Sequence, residues 1–488
     1  MAQWAIVSPS NFRSRDLVGS AEPDAIGLGR VLGSDGVGPK LRYGGERHVL
    51  VFGPNGSGKG MRLLVPNLLQ LQNRSIFVID PKGELAALTA PFRRQIGEVV
   101  IINPFGVLCD VPGYGDMLSV GFNPMLTIDP ESPTFNRDAG LLADALIKTE
   151  SQREPHFDDS ARALVAMLIM HVAIEARRVR RAPTLTRVRE LLCQRSAPPS
   201  EENLWRGDGL PAIALSIMEE AEKNASAPGR RGLHNKASQF TDWNKEIQSI
   251  ASTAKRQTEF LDDDEMVEDL GKPGFDFRVM KQRPVTVYLV LPPDLMIRHA
   301  RWLRLALATA LNACLRPRLP GEPKVLFMLD EFAALGHLKI IETVWALVRG
   351  YGVQIMPVLQ DLNQLKGIYR DRWETFVGMA GAMLSFGPND STTAEWLSKR
   401  AGDTTRVVAS YNSSSGTTQN GTSQNSGLNW SQMKYPLLPA HKLYGLSSGT
   451  TIVTLAGLSN VIAGYAPGYW EIAQCVERAP RSNPFFVG

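Results

Sequence analysis

A glycine-rich turn that ends in lysine is the first stretch of this sequence whose residue types could perform chemistry. It reads GPNGSGK over residues 53–59 and follows the apolar run HVLVF. In the pattern GxxxxGK, small residues let backbone N–H groups point at a phosphate, and the following helix presents its positive end. An ordinary tight turn is the alternative, but the preceding strand and following helix favour a phosphate loop. The predicted nucleotide-binding residues are Gly53, Pro54, Asn55, Gly56, Ser57, Gly58, Lys59 and Gly60.

Two residues at the end of this loop define its predicted chemistry. Lys59 would reach the β- and γ-phosphates of a nucleotide. Gly60 stands where the usual loop has a serine or threonine, whose hydroxyl ligates Mg²⁺. Water or another side chain must therefore replace that ligand, or the metal binds less tightly.

A pair of carboxylates follows a later apolar run, in the sequence KVLFMLDEFAALG over residues 324–336. The pattern places Asp330 and Glu331 at the C-terminal tip of a buried strand, where ligands bind in open parallel sheets. Asp330 would hold Mg²⁺ through water, and Glu331 would polarise the attacking water. The alternative is an aspartate that caps a helix with a glutamate in the first turn.

Two further residues fit roles in phosphoryl transfer. Gln360 ends the run VQIMPVLQ, so its amide would sense the γ-phosphate beside the attacking water. Arg349 ends a helix-like stretch, where its guanidinium would stabilise the transition state in a neighbouring subunit. A cation at a helix C-terminus is favourable without such a role, so both interpretations of Arg349 stay open. In IDPKGEL, Lys82 and Glu84 would position substrate or nucleotide, or would belong to a solvated turn.

The elements that must position these residues are short β-branched runs alternating with helix-like stretches, which indicates a mostly parallel sheet covered on both faces. We predict a loose N-terminal lead-in over 1–44 and a nucleotide-binding domain over 45–127 and 283–488. Residues 128–282 have almost no strand signal and form a predicted all-helical insertion. Residues 409–432 are too poor in apolar groups to offset ordering entropy, so we expect a mobile loop there.

Composition excludes several classes of protein. The chain is 43% hydrophobic and 21% charged with a net charge of +4, typical of a globular protein and too nearly balanced to indicate wholesale nucleic-acid binding. The four cysteines have neither disulfide-framework nor zinc spacing. No run approaches the roughly 18 apolar residues of a membrane span.

Residues 175–190 contain six arginines, which would bind phosphates of a nucleic acid or an acidic partner, or form a solvated helix end.

These motifs together resemble a known family. The segments RHVLVFGPNGSGKGMRLL, SIFVIDPKGELAAL, FMLDEFAALG and RGYGVQIMPVLQDLNQL look like the conjugative coupling ATPases of type IV secretion systems, the TraG/TraD-like family, over residues 45–475. The resemblance implies a RecA-like P-loop NTPase domain with an inserted all-α domain at 128–282. Glycine at position 60 is frequent in that family, and Arg349 and Gln360 match its arginine-finger and sensor positions.

The resemblance also implies a function. Members form hexamers around a central channel, bind relaxase-tagged DNA or effector proteins, and use ATP with Mg²⁺ to pass them to the secretion channel. The alternative is a nucleotide-gated docking platform that recruits substrates without turnover. The family normally begins with two membrane helices, which this sequence does not show. The chain is therefore a soluble variant, a truncated form or a protein tethered by a partner, and we expect a cytoplasmic protein that is peripheral at the inner membrane if partners hold it there.

Overall fold

The computed structural model describes residues 24–33, 35–148, 155–196, 208–347, 350–418 and 421–485. The chain divides into two units: the first is Met1–Asn67 with Val358–Ile472, and the second is Leu68–Pro357 with Ala473–Gly488. The boundaries of these units differ from those of the predicted domains, because the helical segment shares the second unit with strands of a sheet.

The described residues contain thirteen strands, of which two form a separate hairpin. The strands are β1 Ile26–Gly33, β2 Gly36–Tyr43, β3 Val49–Phe52, β4 Arg74–Asp80, β5 Glu98–Ile102, β6 Val285–Val290, β7 Lys324–Leu329, β8 Val353–Leu359, β9 Ala382–Phe386, β10 Asp403–Thr418, β11 Gly421–Pro436, β12 Thr450–Leu455 and β13 Ile462–Tyr465.

The described residues also contain sixteen α-helices, together with short 3₁₀ turns and one π-helical turn. The helices are α1 Val65–Gln70, α2 Glu84–Ile96, α3 Phe135–Leu146, α4 Pro155–Arg178, α5 Leu185–Cys193, α6 Leu210–Lys223, α7 Arg230–Ala237, α8 Lys245–Gln257, α9 Asp264–Gly271, α10 Met296–Cys314, α11 Lys339–Leu347, α12 Leu362–Tyr369, α13 Trp373–Met379, α14 Ser391–Ala401, α15 Ala440–Leu443 and α16 Ala473–Arg478.

The first unit contains a mixed sheet with strand order β2-β1-β13-β12-β9-β3, and the last two residues of β8 pair with β3. Strand β3 is parallel to both β8 and β9. From β9 outward the remaining pairs are antiparallel. All four residues of β3 are buried, as expected for a central parallel strand with both faces covered.

The second unit contains an all-parallel sheet in the order β7-β4-β6-β5, joined at β7 by the first residues of β8. Every residue of β4 and β6 is buried, and apolar residues run consecutively through β4 from Ile76 to Ile79 rather than alternating with polar ones. The same unit holds the seven helices α3 to α9, within residues 128–282. The predicted helical character of that segment therefore agrees with the described residues.

Residues 26–43 form an antiparallel hairpin at the edge of the first unit's sheet. The prediction of a loose lead-in over 1–44 is wrong for these residues, while residues 1–23 lie outside the described chain. Ile26, Leu28 and Leu41 are fully buried. Shifts in register beside Gly29 break the two-residue alternation of this hairpin, so the strand pattern is hard to detect in the sequence.

Strands β10 and β11 form a second hairpin, which pairs in register from Asp403↔Pro436 to Thr418↔Gly421. The predicted loop over 409–432 is therefore a pair of strands for the residues that the structure describes. Tyr411 and Trp430 are each 69% exposed, so the hairpin is formed by its backbone ladder and contributes little to a core.

None of the helices in the described part of the chain combines the length and apolar character needed to cross a bilayer.

Candidate nucleotide-binding site

The phosphate loop of the first unit follows β3 directly. The Gly53 N–H donates to the Leu359 carbonyl at 3.0 Å, which continues the strand pairing for one residue. Gly56 and Gly58 have φ angles of 77° and 84°, in the left-handed region that strains any residue with a Cβ. A helical segment then begins at Gly60 with a π-helical turn over Gly60–Leu64. A turn of this kind leading into a helix is an anion-binding geometry.

Two side chains of the loop show that it fits a phosphate group. The Lys59 ammonium donates to the Gly53 carbonyl and, at 3.1 Å, to the Pro54 carbonyl, so it lies over the loop. The Ser57 hydroxyl is buried and has no hydrogen-bond partner among the described residues. An unsatisfied buried hydroxyl costs about 1–3 kcal/mol, and an oxygen of a phosphate would remove that cost.

Gly60 faces open space. A Cβ built at this position meets no atom within 4 Å, and its φ lies outside the left-handed region. Nothing in the backbone therefore requires glycine here, and the space that a serine or threonine hydroxyl would occupy is available to water.

Gln360 lies close to the phosphate loop in the first unit, because the residue before it is hydrogen-bonded to the loop. It directly follows Leu359, whose carbonyl accepts from Gly53. The Gln360 N–H donates to Gln364 Oε1 at 2.8 Å, and the Gln364 N–H donates to Asp361 Oδ1 at 2.8 Å. These bonds fix the Gln360 backbone just before α12, and its role as a sensor stays a prediction.

The acidic pair of the second unit follows β7, whose last five residues are buried. Glu331 has a φ of 60°, which a residue with a side chain adopts rarely and at a cost of about 1–3 kcal/mol. It precedes the 3₁₀ turn Phe332–Leu335 but its side chain makes no capping hydrogen bond to that turn. The N-cap position of this turn is Glu331 rather than Asp330, and the strained backbone is typical of a functional position.

Asp80 is a third carboxylate at this edge and was missed by the sequence reasoning. It ends β4, which pairs in parallel with β7 so that Ile79 lies opposite Leu329. Asp80 is the last residue of β4 and Asp330 directly follows β7, so the two residues lie opposite each other at the C-terminal edge of the sheet. Asp80 is 2% exposed and accepts a hydrogen bond from the Ala86 N–H at 2.8 Å. The rule that located Asp330, an acid at the end of an apolar run, would also have found Asp80.

Burial raises the pKa of Asp80 from its ordinary value of 3.8 to about 7. Hydrogen bonds from the Ala86 and Leu85 N–H groups oppose the rise, while the negative charges of Asp330 and Glu84 add to it. A second carboxylate near Asp330 is thus held at least partly protonated at neutral pH.

The turn between β4 and α2 contains the other two residues that the sequence singled out in IDPKGEL. Glu84 begins α2 and accepts a hydrogen bond from the Asn483 amide. Lys82 is exposed in the turn. The structure thus brings Glu84 to the carboxylates and leaves Lys82 on the surface of the second unit.

The described residues contain no group of three or more acidic, histidine or cysteine side chains arranged to hold a metal ion. Mg²⁺ keeps several waters and binds through one or two carboxylates and substrate phosphates, so Asp330 as its protein carboxylate stays a prediction.

Arg349, the predicted arginine finger, lies outside the described residues. Helix α11, which leads toward it, ends at Leu347.

The arginine-rich segment 175–190 is largely engaged in ion pairs. Arg187 pairs with both carboxylate oxygens of Glu175 at 3.1 and 3.2 Å, and Arg189 pairs with both of Asp262 at 2.5 and 2.8 Å. Arg177 and Arg178 also contact carboxylates. These contacts support a structural role for the segment over the nucleic-acid interpretation.

Comparison with known proteins places this geometry in context. The family model described as Type IV secretory system Conjugative DNA transfer matches residues 11–478. The chain is 27% identical over 435 residues to the conjugal transfer protein TraG of Agrobacterium fabrum, covering 87% of this chain and 61% of that protein. It is 29% identical over 385 residues to VirD4 of the same organism, covering 78% and 53%. The chain thus spans roughly half to two thirds of the curated relatives it matches.

Solved structures with the same fold include the bacterial conjugative coupling protein TrwBΔN70, with a TM-score of 0.60 at 15% identity, covering 94% of this chain and 97% of that one. TrwB in complex with ADP and Mg²⁺ matches with a TM-score of 0.59 at 15% identity, covering 92% and 96%. The chain therefore has a RecA-like fold with a mostly parallel sheet and an all-α segment, which confirms the predicted fold class.

The chain belongs to the conjugative DNA transfer family of type IV secretion systems, which includes TraG and VirD4. This confirms the resemblance found in the sequence.

Proposed function

We propose that this chain is an ATP-driven coupling protein that recruits DNA or nucleoprotein and passes it to a type IV secretion channel. The observation that carries the proposal is the phosphate loop, in which two left-handed glycines and a partnerless buried hydroxyl at Ser57 form a seat for phosphate. Membership in a family of conjugative DNA transfer supports DNA as the cargo. Assembly as a homo-oligomer, with a hexamer as the predicted form, belongs to the same proposal.

The proposed reaction is attack of water on the γ-phosphate of ATP. Lys59 would exchange its loop carbonyls for phosphate oxygens and neutralise charge that develops on them. Glu331 would orient the attacking water, Gln360 would sense the γ-phosphate, and Arg349 would act on the nucleotide of a neighbouring subunit. Mg²⁺, bound with the help of Asp330, would neutralise charge on the phosphates.

Turnover rather than nucleotide-gated docking is favoured by Glu331. The left-handed backbone of Glu331 costs about 1–3 kcal/mol, and a glycine at this position would avoid that cost. A docking platform would gain nothing from a strained carboxylate at the end of β7.

An ATPase assay with and without single- and double-stranded DNA, run beside size measurement in ATP, tests this proposal. We expect Lys59→Ala to lose nucleotide binding. We expect Glu331→Gln to bind ATP and to hydrolyse it about 100- to 10,000-fold more slowly, the range for loss of a general base.

Lys442→Ala is the matched control, because Lys442 is an exposed lysine of the first unit. It is expected to hydrolyse ATP at the wild-type rate. If Lys59→Ala also hydrolyses ATP at that rate, the motor proposal is wrong. If Glu331→Gln supports full transfer in cells, the docking platform is favoured instead.

A further inference from the structure

We propose that Trp470 supplies the stacking surface for the base of the nucleotide on the phosphate loop. This inference rests on the proposed nucleotide binding and assigns a base subsite to that same site. It is carried by a chain of contacts in the first unit that links the loop to a half-exposed indole.

Arg62 is the first link, because its side chain lies directly against the phosphate loop. The backbone N–H of Arg62 donates to the Gly58 carbonyl at 2.8 Å. A Cβ built on Gly58 would lie 3.0 Å from Arg62 Cδ, so the arginine stem packs on the glycine backbone.

The guanidinium of Arg62 is fixed at the far end of this stem. Its Nη1 donates to the Ala466 carbonyl and to Glu471 Oε1, each at 3.0 Å. Its carbon Cζ lies 5.3 Å from the centre of the Trp470 ring and 6.0 Å from that of Tyr465, within cation–π range. The Arg62 side chain is only 12% exposed, so the pair with Glu471 is well shielded.

The turn that carries Trp470 is also held in place. Glu471 accepts from the Gly468 N–H at 2.9 Å and from the Tyr465 hydroxyl at 2.6 Å. A Cβ on Gly468 would fall 2.4 Å from the Trp470 ring, so the indole rests against bare backbone. Tyr469 packs on it edge to face at 5.4 Å.

Despite these contacts the Trp470 residue remains 52% exposed. Arg62 and the Gly468 backbone contact part of the ring, and the remainder of the residue is open to solvent. Burying an indole is favourable, so a held and half-exposed indole beside the arginine that packs on the phosphate loop is suited to a planar ligand. The base of a nucleoside triphosphate has that shape, and its phosphates bring it to this place.

Stacking recognises a π-face and reads no base edge. Adenine and guanine nucleotides are therefore expected to depend on Trp470 to a similar degree. Inorganic tripolyphosphate, which has the phosphates without the base, is expected not to depend on it.

The test is calorimetric binding of ATP, GTP and tripolyphosphate, each with Mg²⁺, to the full chain. We expect Trp470→Ala to raise the Kd for ATP and GTP roughly 5- to 100-fold, the range for loss of one base–aromatic stack. The Kd for tripolyphosphate should stay at the wild-type value, and Trp470→Phe should recover most of the ATP affinity. Tyr411→Ala, which removes another exposed aromatic side chain, should change none of these values.

The outcomes separate the two proposals. Wild-type affinity for ATP in Trp470→Ala overturns the base subsite while the proposed function stands. An equal loss of ATP and tripolyphosphate binding also overturns it, because the indole would then support the loop rather than the base. A wild-type chain that binds neither ATP nor tripolyphosphate overturns the proposed function and the subsite with it.

Discussion

Replacing Asp80 with asparagine should stabilise the protein in a pH-dependent way. Burial raises the pKa of Asp80 from 3.8 to about 7 in the folded chain. A difference of one pKa unit between the folded and unfolded states corresponds to about 1.4 kcal/mol. Ionisation of Asp80 therefore lowers the free energy of unfolding by about 4 kcal/mol. Asparagine keeps an oxygen for the Ala86 N–H and removes that cost, because it cannot ionise.

Because the pKa of Asp80 is raised in the folded chain, the free energy of unfolding of the wild type falls as the pH rises. Below pH 4 aspartate is protonated in both states, and its contribution to stability is fully present. As the pH rises from 4 to 7 the unfolded chain releases the proton while the folded chain retains it, so stability falls and stays low above pH 7. The nearby carboxylates of Asp330 and Glu84 and the phenol of Tyr288 face Asp80. The phenol stays neutral throughout this window because burial raises its pKa.

Thermal unfolding of wild type and Asp80→Asn at pH 5 and pH 8 is the assay. The variant should gain more in melting temperature at pH 8 than at pH 5, since any fixed cost of the amide cancels between the two. Asp242→Asn is the control, because Asp242 is exposed and should show no such difference. An equal gain, or an equal loss, at both pH values would refute the assignment of the buried proton to Asp80.

Three further outcomes follow from the structure. Gly60→Ser should fold normally, because a Cβ there meets nothing within 4 Å, and should lower the Mg²⁺ concentration needed for half-maximal ATP binding. Glu331→Gly should raise the unfolding free energy by about 1 kcal/mol by relieving the left-handed backbone while turnover is lost, as denaturant titration and an ATPase assay would show. Arg189→Ala should cost about 2 kcal/mol by breaking the bidentate pair with Asp262, whereas exposed Arg180→Ala should leave the melting temperature unchanged.

Parallel strands buried on both faces were the easiest elements to predict. Each of β3, β4 and β7 contains at least four consecutive apolar residues, because helices or other elements cover both faces of such strands. The phosphate loop and the pair Asp330–Glu331 could be placed for the same reason, since each directly follows one of these runs.

Elements that bury little, or that change register, were the ones missed. The edge hairpin β1–β2 shifts its register beside Gly29, which removes the regular alternation that marks a strand. The position of Asp80 at the end of an apolar run could have been read from the sequence, but its raised pKa comes from burial, which sequence alone does not show. The contact of Arg62 with Trp470 joins residues 408 positions apart in the chain, beyond the reach of local pattern.

The long hairpin β10–β11 pairs only with itself among the described residues, so it carries two unpaired strand edges. Such edges invite pairing with other chains and are a route to aggregation. Its distal half, residues 412–427, contains only serine, asparagine, glycine, threonine and glutamine. Asparagine and glutamine side chains form ladders when strands stack, so this polar composition does not by itself prevent stacking. The composition that concealed these strands in the sequence therefore leaves their edges open to pairing with a strand of another chain.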